Sequence, residues 1–289
     1  MSALRRPPLP QSLIDQAHAY AAGEAAPAEP RNAATVILLR DGSPGLEVYL
    51  LRRQTTMAFA GGMCVFPGGG VDPRDFSGGP SDDAVWAGPS VDEWASTLGC
   101  EPALARALVC AAVRETFEES GVLLAGPSAD SVVEDTTGED WEADRVALET
   151  RELSMTDFLV RRGLVLRTDL LGAWSGWLTP VFEPRRYRTW FFVAMLPGSQ
   201  TTRDVSSESS SVTWMQPLAA VSAVEAGEMM MMPPTFLTCL DVGQHTTAEA
   251  AHRAASGRTV EIFTPEVVST GEGFVLSTPP AYEALLDAR

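Results

Sequence analysis

Residues 102–120 read as one long helix that ends in Arg114-Glu115-Thr116-Phe117-Glu118-Glu119-Ser120, with Gly121 as its stop. This helix constrains the fold more than any other segment. At about 100° per residue, Val109, Val113 and Phe117 form an apolar stripe suited to packing on a sheet. Glu115, Glu118 and Glu119 lie on the other face, at i, i+3 and i+4. Ala111 and Ala112 keep the approach beside them small. Three like charges so close repel one another, and glutamates near a helix C-terminus oppose its dipole. A divalent cation over that face would cancel the charge. Hard oxygen donors suit Mg²⁺ or Mn²⁺ rather than zinc. The competing reading is a solvated helix end in which Arg114 pairs with Glu118 at i+4.

A sheet for this helix is written ahead of it. Ala34–Arg40 and Leu46–Arg53 are β-rich runs separated by Asp41-Gly42-Ser43-Pro44-Gly45, a strong hairpin signal. Met63–Phe66 is a short third strand, ending in Pro67-Gly68-Gly69-Gly70. Residues 71–101 are acidic, broken by Gly, Pro and Ser, and read as an insertion with a small helix around 92–98. Residues 127–152 are expected to be helical in their later half, and 153–164 form another helix. Strands follow at 177–181, 187–194 and 212–215. The C-terminal third is more helical, with a capping box of Thr246 and Glu249. Residues 1–32 read as an arm rich in Pro and Ala, with one short helix over 11–21.

A chain of 289 residues accommodates one large domain with additions. Its net charge of −17 repels nucleic acid at long range, and it has no polybasic segment for an anionic membrane. Handling an anionic substrate then requires metal ions or clustered arginines. Cys64, Cys100, Cys110 and Cys239 form no C-x-x-C pair, so reduced, buried thiols are expected rather than zinc. No apolar run follows Arg5-Arg6-Pro7-Pro8, so a secretory leader is not expected. No stretch nears the roughly 18 apolar residues of a membrane span. A cytoplasmic location is the expectation.

Arg114–Val122 resembles the second half of the Nudix box, R-E-U-x-E-E-x-G-U, where U is bulky and aliphatic. Phe66-Pro67-Gly68-Gly69-Gly70 resembles the glycine turn that opens it. The chain departs from the compact box in three ways. The insertion splits the two halves. Arg106 stands at the position of the first glutamate, opposite Glu115 on the wheel, while Asp75 has the right spacing from Gly69 to replace it. Thr116 replaces an aliphatic residue. Trp177-Leu178-Thr179-Pro180, Arg185-Arg186-Tyr187, Phe191-Phe192 and Pro233-Pro234-Thr235 resemble the acyl-CoA diphosphatase-like branch. Arg188 stands where that branch has an acidic residue, and its CoA pattern beside the glycine turn is not cleanly present.

The resemblance implies an α/β fold, a Nudix-type α/β/α sandwich with a mixed β-sheet, plus inserted and C-terminal helices. The domain would span 33–245, with the insertion at 71–101 and a helical/β extension at 246–289 packed on it. The implied activity is metal-dependent hydrolysis of the diphosphate of a nucleoside diphosphate derivative, CoA or acyl-CoA first. ADP-ribose, NADH or a nucleotide sugar is the alternative, and a non-catalytic nucleotide-binding module is another. Glu115, Glu118 and Glu119 would hold Mg²⁺ or Mn²⁺, and Arg114 would orient Glu115. Gly68 and Gly69 would admit close backbone approach. Glu208 is the candidate glutamate from a later loop. Arg52, Arg53, Arg185 and Arg186 are candidate phosphate contacts, with surface charge as the plainer reading of each. Met229–Met232 reads either as core under a loop or as the lining of an acyl groove. Trp174, Trp177, Trp190 and Trp214 read as core, and His18, His245 and His252 as structural. The expected partner is a small-molecule diphosphate, with no nucleic acid and no membrane, and the protein a monomer or homodimer.

Overall fold

A computed structural model describes residues 11–24, 26–57, 60–76, 85–271 and 273–289. Residues 1–10 of the arm and 77–84 of the insertion lie outside the described residues. Helix α1 (Gln11–Ala21) is followed by the hairpin β1 (Arg31–Gly42) and β2 (Gly45–Arg53), then β3 (Cys64–Val65) and β4 (Gly68–Gly70). β5 (Trp86–Ala87) and α2 (Val91–Leu98) lead to the long α3 (Pro102–Ser120). Next come β6 (Ala125–Gly126), α4 (Glu139–Glu149), α5 (Met155–Arg162) and β7 (Val165–Arg167). β8 (Leu171–Leu178), β9 (Tyr187–Met195) and β10 (Ser209–Met215) return to the sheet. The chain ends with α6 (Pro217–Glu225), α7 (Pro233–Val242), α8 (Ala248–Ala254), β11 (Ile262–Phe263), β12 (Val267–Thr270), β13 (Gly273–Leu276) and α9 (Pro280–Asp287).

The main sheet runs β10-β2-β1-β9-β8-β11. It is mixed, because β1 and β9 are parallel while β1–β2 and β8–β9 are antiparallel. β1 and β2 pair only near their turn, from Leu39–Val48 to Gly42–Gly45. Farther from that turn, β1 pairs with β4 at Ala33–Thr35 and β2 pairs with β3 at Leu51 and Arg52. The glycine turn is thereby wedged between the first two strands.

Alternation along β1 makes the layers. Ala34, Val36 and Leu38 face one apolar cluster, shared with α2, α3, Leu148 of α4 and Phe158 of α5. Ile37 and Leu39 face the other, shared with α6, α7, α8 and Tyr282 of α9. Helices therefore cover both faces of the sheet. The stripe of Val109, Val113 and Phe117 is fully buried as expected. Leu108, Ala111 and Ala112, on the opposite side, are fully buried too. α3 is a central helix enclosed on all sides. Phe117 stacks on Phe158 at 5.7 Å, and Trp141 meets Phe158 edge-on at 6.2 Å.

Two local readings change. The strand expected from residue 177 begins at Leu171, because its glycines serve packing rather than a turn. A side chain at Gly176 would meet Ile262 at 2.5 Å, so that glycine admits β11 alongside β8. The cap of α8 is Thr247, not Thr246: its hydroxyl accepts from Ala250 N–H at 3.1 Å. A Thr247→Ala protein should lose about 1 kcal/mol of stability in urea denaturation. Thr246→Ala should stay within about 0.5 kcal/mol of the parent. Equal losses would contradict this assignment of the cap.

Candidate active site

The last two turns of α3 lie against β4 and the short turn Pro73–Phe76 that follows it. Arg114 is the centre of the contact. Its Nε donates to Asp75 Oδ1 at 3.0 Å and its Nη2 to Asp75 Oδ2 at 2.9 Å. The same Nη2 reaches the Gly70 carbonyl at 3.1 Å. Nη1 donates to Glu115 at 2.7 Å and to both oxygens of Glu118 at 3.2 Å. Asp75 is buried and occupies the place left open by Arg106. Arg106 itself points elsewhere, its guanidinium 5.1 Å from the Trp86 ring.

The glycine turn closes over the carboxylates. Gly68 N–H donates to Glu119 at 2.7 Å. A side chain on Gly69 would lie 2.5 Å from the Glu115 carboxylate, and one on Gly68 would meet the Ala34 carbonyl at the same distance. Both positions therefore exclude a Cβ by close approach. Thr116, the replacement for an aliphatic residue, is fully buried and satisfied by the Ala112 carbonyl at 2.7 Å.

Burial and mutual repulsion dominate the electrostatics. Burial, then the charge of Glu115, raises the Glu118 carboxyl from 4.5 to about 8, against the pull of Arg114. Burial raises Glu115, opposed by Arg114 and assisted by Asp75 and Glu208. Glu119 is raised well above the usual range by burial and Glu115, with the Gly68 hydrogen bond opposing. Glu208 adds its own repulsion to Glu119. Three buried or nearly buried carboxylates, Asp75, Glu115 and Glu118, thus share the one guanidinium of Arg114, with Glu119 close beside them. Among the described residues no three His, Cys, Asp or Glu side chains converge as a preformed metal cage. Glu115 and Glu118 turn to Arg114, and Glu119 turns to Gly68. The donor set nevertheless fits a hard divalent cation: oxygen ligands, held out of water, with more negative charge than the protein neutralises.

The other expected residues divide. Arg53 forms an ion pair with Glu208 at 2.9 Å, and its charge is felt by Glu119. Arg52 lies one residue away and reaches the Gly62 carbonyl at 3.4 Å. Glu208 and Arg53 are therefore brought to the carboxylates. Arg185 is exposed. Arg186 stands apart: it is buried and commits its donors to the carbonyls of Thr179 and Ala28, at 3.2 and 3.0 Å. Met229 and Met231 pack into the second core cluster, whereas Met230 is 53% exposed beside β3. Trp174, Trp177 and Trp190 are buried, as expected of core. A depression of about 260 Å³ by Pro44, Leu46 and Pro217 shares no residue with the carboxylate cluster.

Sequence reasoning missed Arg145. It donates to the Glu118 carbonyl at 2.8 Å from a buried position. Its carboxylate neighbours Glu142 and Glu149, at i−3 and i+4, have a spacing common on solvated helices and give no signal of a site. Its burial is tertiary information.

Two outcomes follow from this geometry. Asp75→Asn removes the charge of the one carboxylate that Arg114 meets with two nitrogens and should cost about 3 kcal/mol in chemical denaturation. The raised Glu118 stabilises the fold fully below its unfolded value of 4.5, and that contribution is lost as pH rises through about 8. In EDTA the melting temperature should therefore fall across that window, and Glu118→Gln should flatten the fall. Parallel curves for the two proteins would refute the shift.

The family model for the NUDT19 Nudix domain matches residues 95–241, a span that holds the α3 glutamates and Glu208. The acyl-coenzyme A diphosphatase NUDT19 of Xenopus laevis is 26% identical over 266 residues, covering 81% of this chain and 70% of that protein. The human protein of that name is 26% identical over 272 residues, covering 81% and 71%. A crystal structure of a NUDIX hydrolase from Alicyclobacillus acidocaldarius superposes with a TM-score of 0.65 at 25% identity, over 81% of this chain and 99% of that one. The glycine turn precedes the matched span, yet the Gly68–Glu119 and Gly70–Arg114 bonds restore the two halves to one site. With fold, motif and family model in agreement, this chain belongs to the Nudix hydrolases, enzymes that act on diphosphate bonds.

Proposed function

We propose that this protein hydrolyses the diphosphate of CoA or an acyl-CoA, using a divalent metal, Mg²⁺ or Mn²⁺, held by Glu115, Glu118 and Glu119. The observation that carries the reading is the enclosure of these three carboxylates beneath the glycine turn, where burial and repulsion raise their proton affinity. The substrate class is supported by relatives named acyl-coenzyme A diphosphatase. A bound cation would neutralise phosphate oxygens and lower the pKa of a water. The chain's own residues do the rest. Arg114, anchored by Asp75, orients Glu115 and Glu118. Gly68 N–H holds Glu119, and the bare Gly69 leaves room over Glu115. Glu208 is half exposed at the rim, where it accepts a proton from the attacking water. Arg52 and Arg53 would meet phosphate oxygens, which suit guanidinium forks. Exposed Met230, beside Gly62, offers apolar surface on the Arg52 side for a pantetheine or acyl group.

Turnover in Mg²⁺ tests the site. Glu115→Gln and Glu119→Gln should each lose about 10²-fold or more in kcat. Parental rates in either would end the assignment. A panel of CoA, acyl-CoA, ADP-ribose and NADH, with products identified by mass, tests the substrate. Release of 3′,5′-ADP and a phosphopantetheine is expected, and cleavage confined to ADP-ribose or NADH would overturn the CoA reading.

A further inference from the structure

The catalytic helix and the Glu208 loop are joined by a chain of charged hydrogen bonds that the reaction above does not use. Arg145 is 3% exposed. Its Nη1 donates both to the Glu118 carbonyl at 2.8 Å and to Glu149 Oε2 at 3.0 Å. Its Nε and Nη2 hold Glu142 at 3.0 and 2.7 Å. The second oxygen of Glu149 accepts from Ser207 twice, from its N–H at 3.2 Å and from its hydroxyl at 2.5 Å. Ser207 precedes Glu208, whose carboxylate meets Arg53. Gln54 holds the other side of the same loop, through the Ser207 and Glu208 carbonyls at 2.7 and 2.9 Å.

We propose that Arg145 and Glu149 are positioning residues that set the Glu208 loop in register with the last turn of α3. The proposal rests on the role given to Glu208 above. Glu208 sits on a loop and is half exposed, so its own packing does not determine its place. The Glu118 carbonyl belongs to the last turn of α3, where carbonyls lack helical partners. A guanidinium there is favoured by the helix dipole and anchors to the backbone that carries the glutamates. Its planar fork bridges that carbonyl and two carboxylates together, which an ammonium cannot do with the same geometry. Glu149 then hands the position on to the loop. A displacement of about 1 Å at a reacting group is enough to cost about 10²-fold in rate.

The test is a double-mutant cycle on the full chain, with CoA and saturating Mg²⁺. Glu149→Gln keeps one acceptor and turns the other into a donor that faces either Arg145 or Ser207, both donors. It should lower kcat by about tenfold or more, with KM within about twofold and a near-parental melting temperature. Added to Glu208→Gln, it should change kcat by less than about twofold, because the group it positions is already gone. Arg145→Lys, which keeps the charge but not the fork, should show the same loss and the same masking. A loss that multiplies fully with Glu208→Gln, or a lowered melting temperature with parental kcat, would overturn the proposal. Parental kcat in Glu208→Gln would remove the role of Glu208 and the proposal with it. If the wild-type protein does not cleave CoA, the substrate assignment alone fails, and the cycle is read with the panel compound it does cleave.

Discussion

The site depends on the fork of Arg114. One guanidinium meets Asp75 with two bonds, Glu115 and Glu118 with a third nitrogen, and the Gly70 carbonyl across 44 residues of sequence. It joins partners that come from α3, from β4 and from the turn after β4. Without it, Glu115 and Glu118 would face Asp75 and one another with no cation between them, and the glycine turn would lose one of its two bonds to α3. An interaction of this kind, fully enclosed, is costly to break because it strands the partners in a dry environment. The insertion is tolerated for the same reason. Chain length between the two halves matters little when both ends are tied to one buried group.

The end of α3 is a poor place for three glutamates on helix electrostatics alone. The fold answers with cations and donors at the backbone instead. Arg145 takes the Glu118 carbonyl, the Arg203 N–H takes that of Ser120, and the Thr136 hydroxyl takes that of Gly121. The last turn is thus held rigid while the carboxylate side chains keep an excess of negative charge. That combination of a fixed backbone and unneutralised oxygens is what a metal-dependent hydrolase of an anionic diphosphate requires. A divalent cation bound there would compensate an anionic substrate locally, in a protein whose net charge is −17.

Much of this was legible in the residues. The hairpin, the glycine turn and α3 follow from alternation, turn chemistry and helical period, and each sits within a few residues of its expected place. The glutamate face of α3 followed from spacing alone. What escaped was information about enclosure. Arg145 carries no local signal of its place, because i−3 and i+4 carboxylates are common on solvated helices. Arg186 looked like a phosphate contact because an exposed and a buried arginine are spelled alike. The early start of β8 was hidden by glycines that serve the approach of β11 rather than a turn. Thr246 and Thr247 are chemically equivalent as caps, and only the backbone decides which one faces the helix.

By itself the sequence determined the local elements, the shared face of Glu115, Glu118 and Glu119, and the family to which their pattern belongs, because period and spacing are properties of the chain. It also determined that Asp75 was available as the missing acid. Tertiary structure decided that Asp75 meets Arg114, that Glu208 is held through Arg53 and Ser207, and that Arg145 reaches the last turn of α3. These are pairings across 27 to 155 residues of sequence. The pairings of Arg114 and Arg145 are enforced by burial, which makes a charge seek its partner, and no local pattern records any of them.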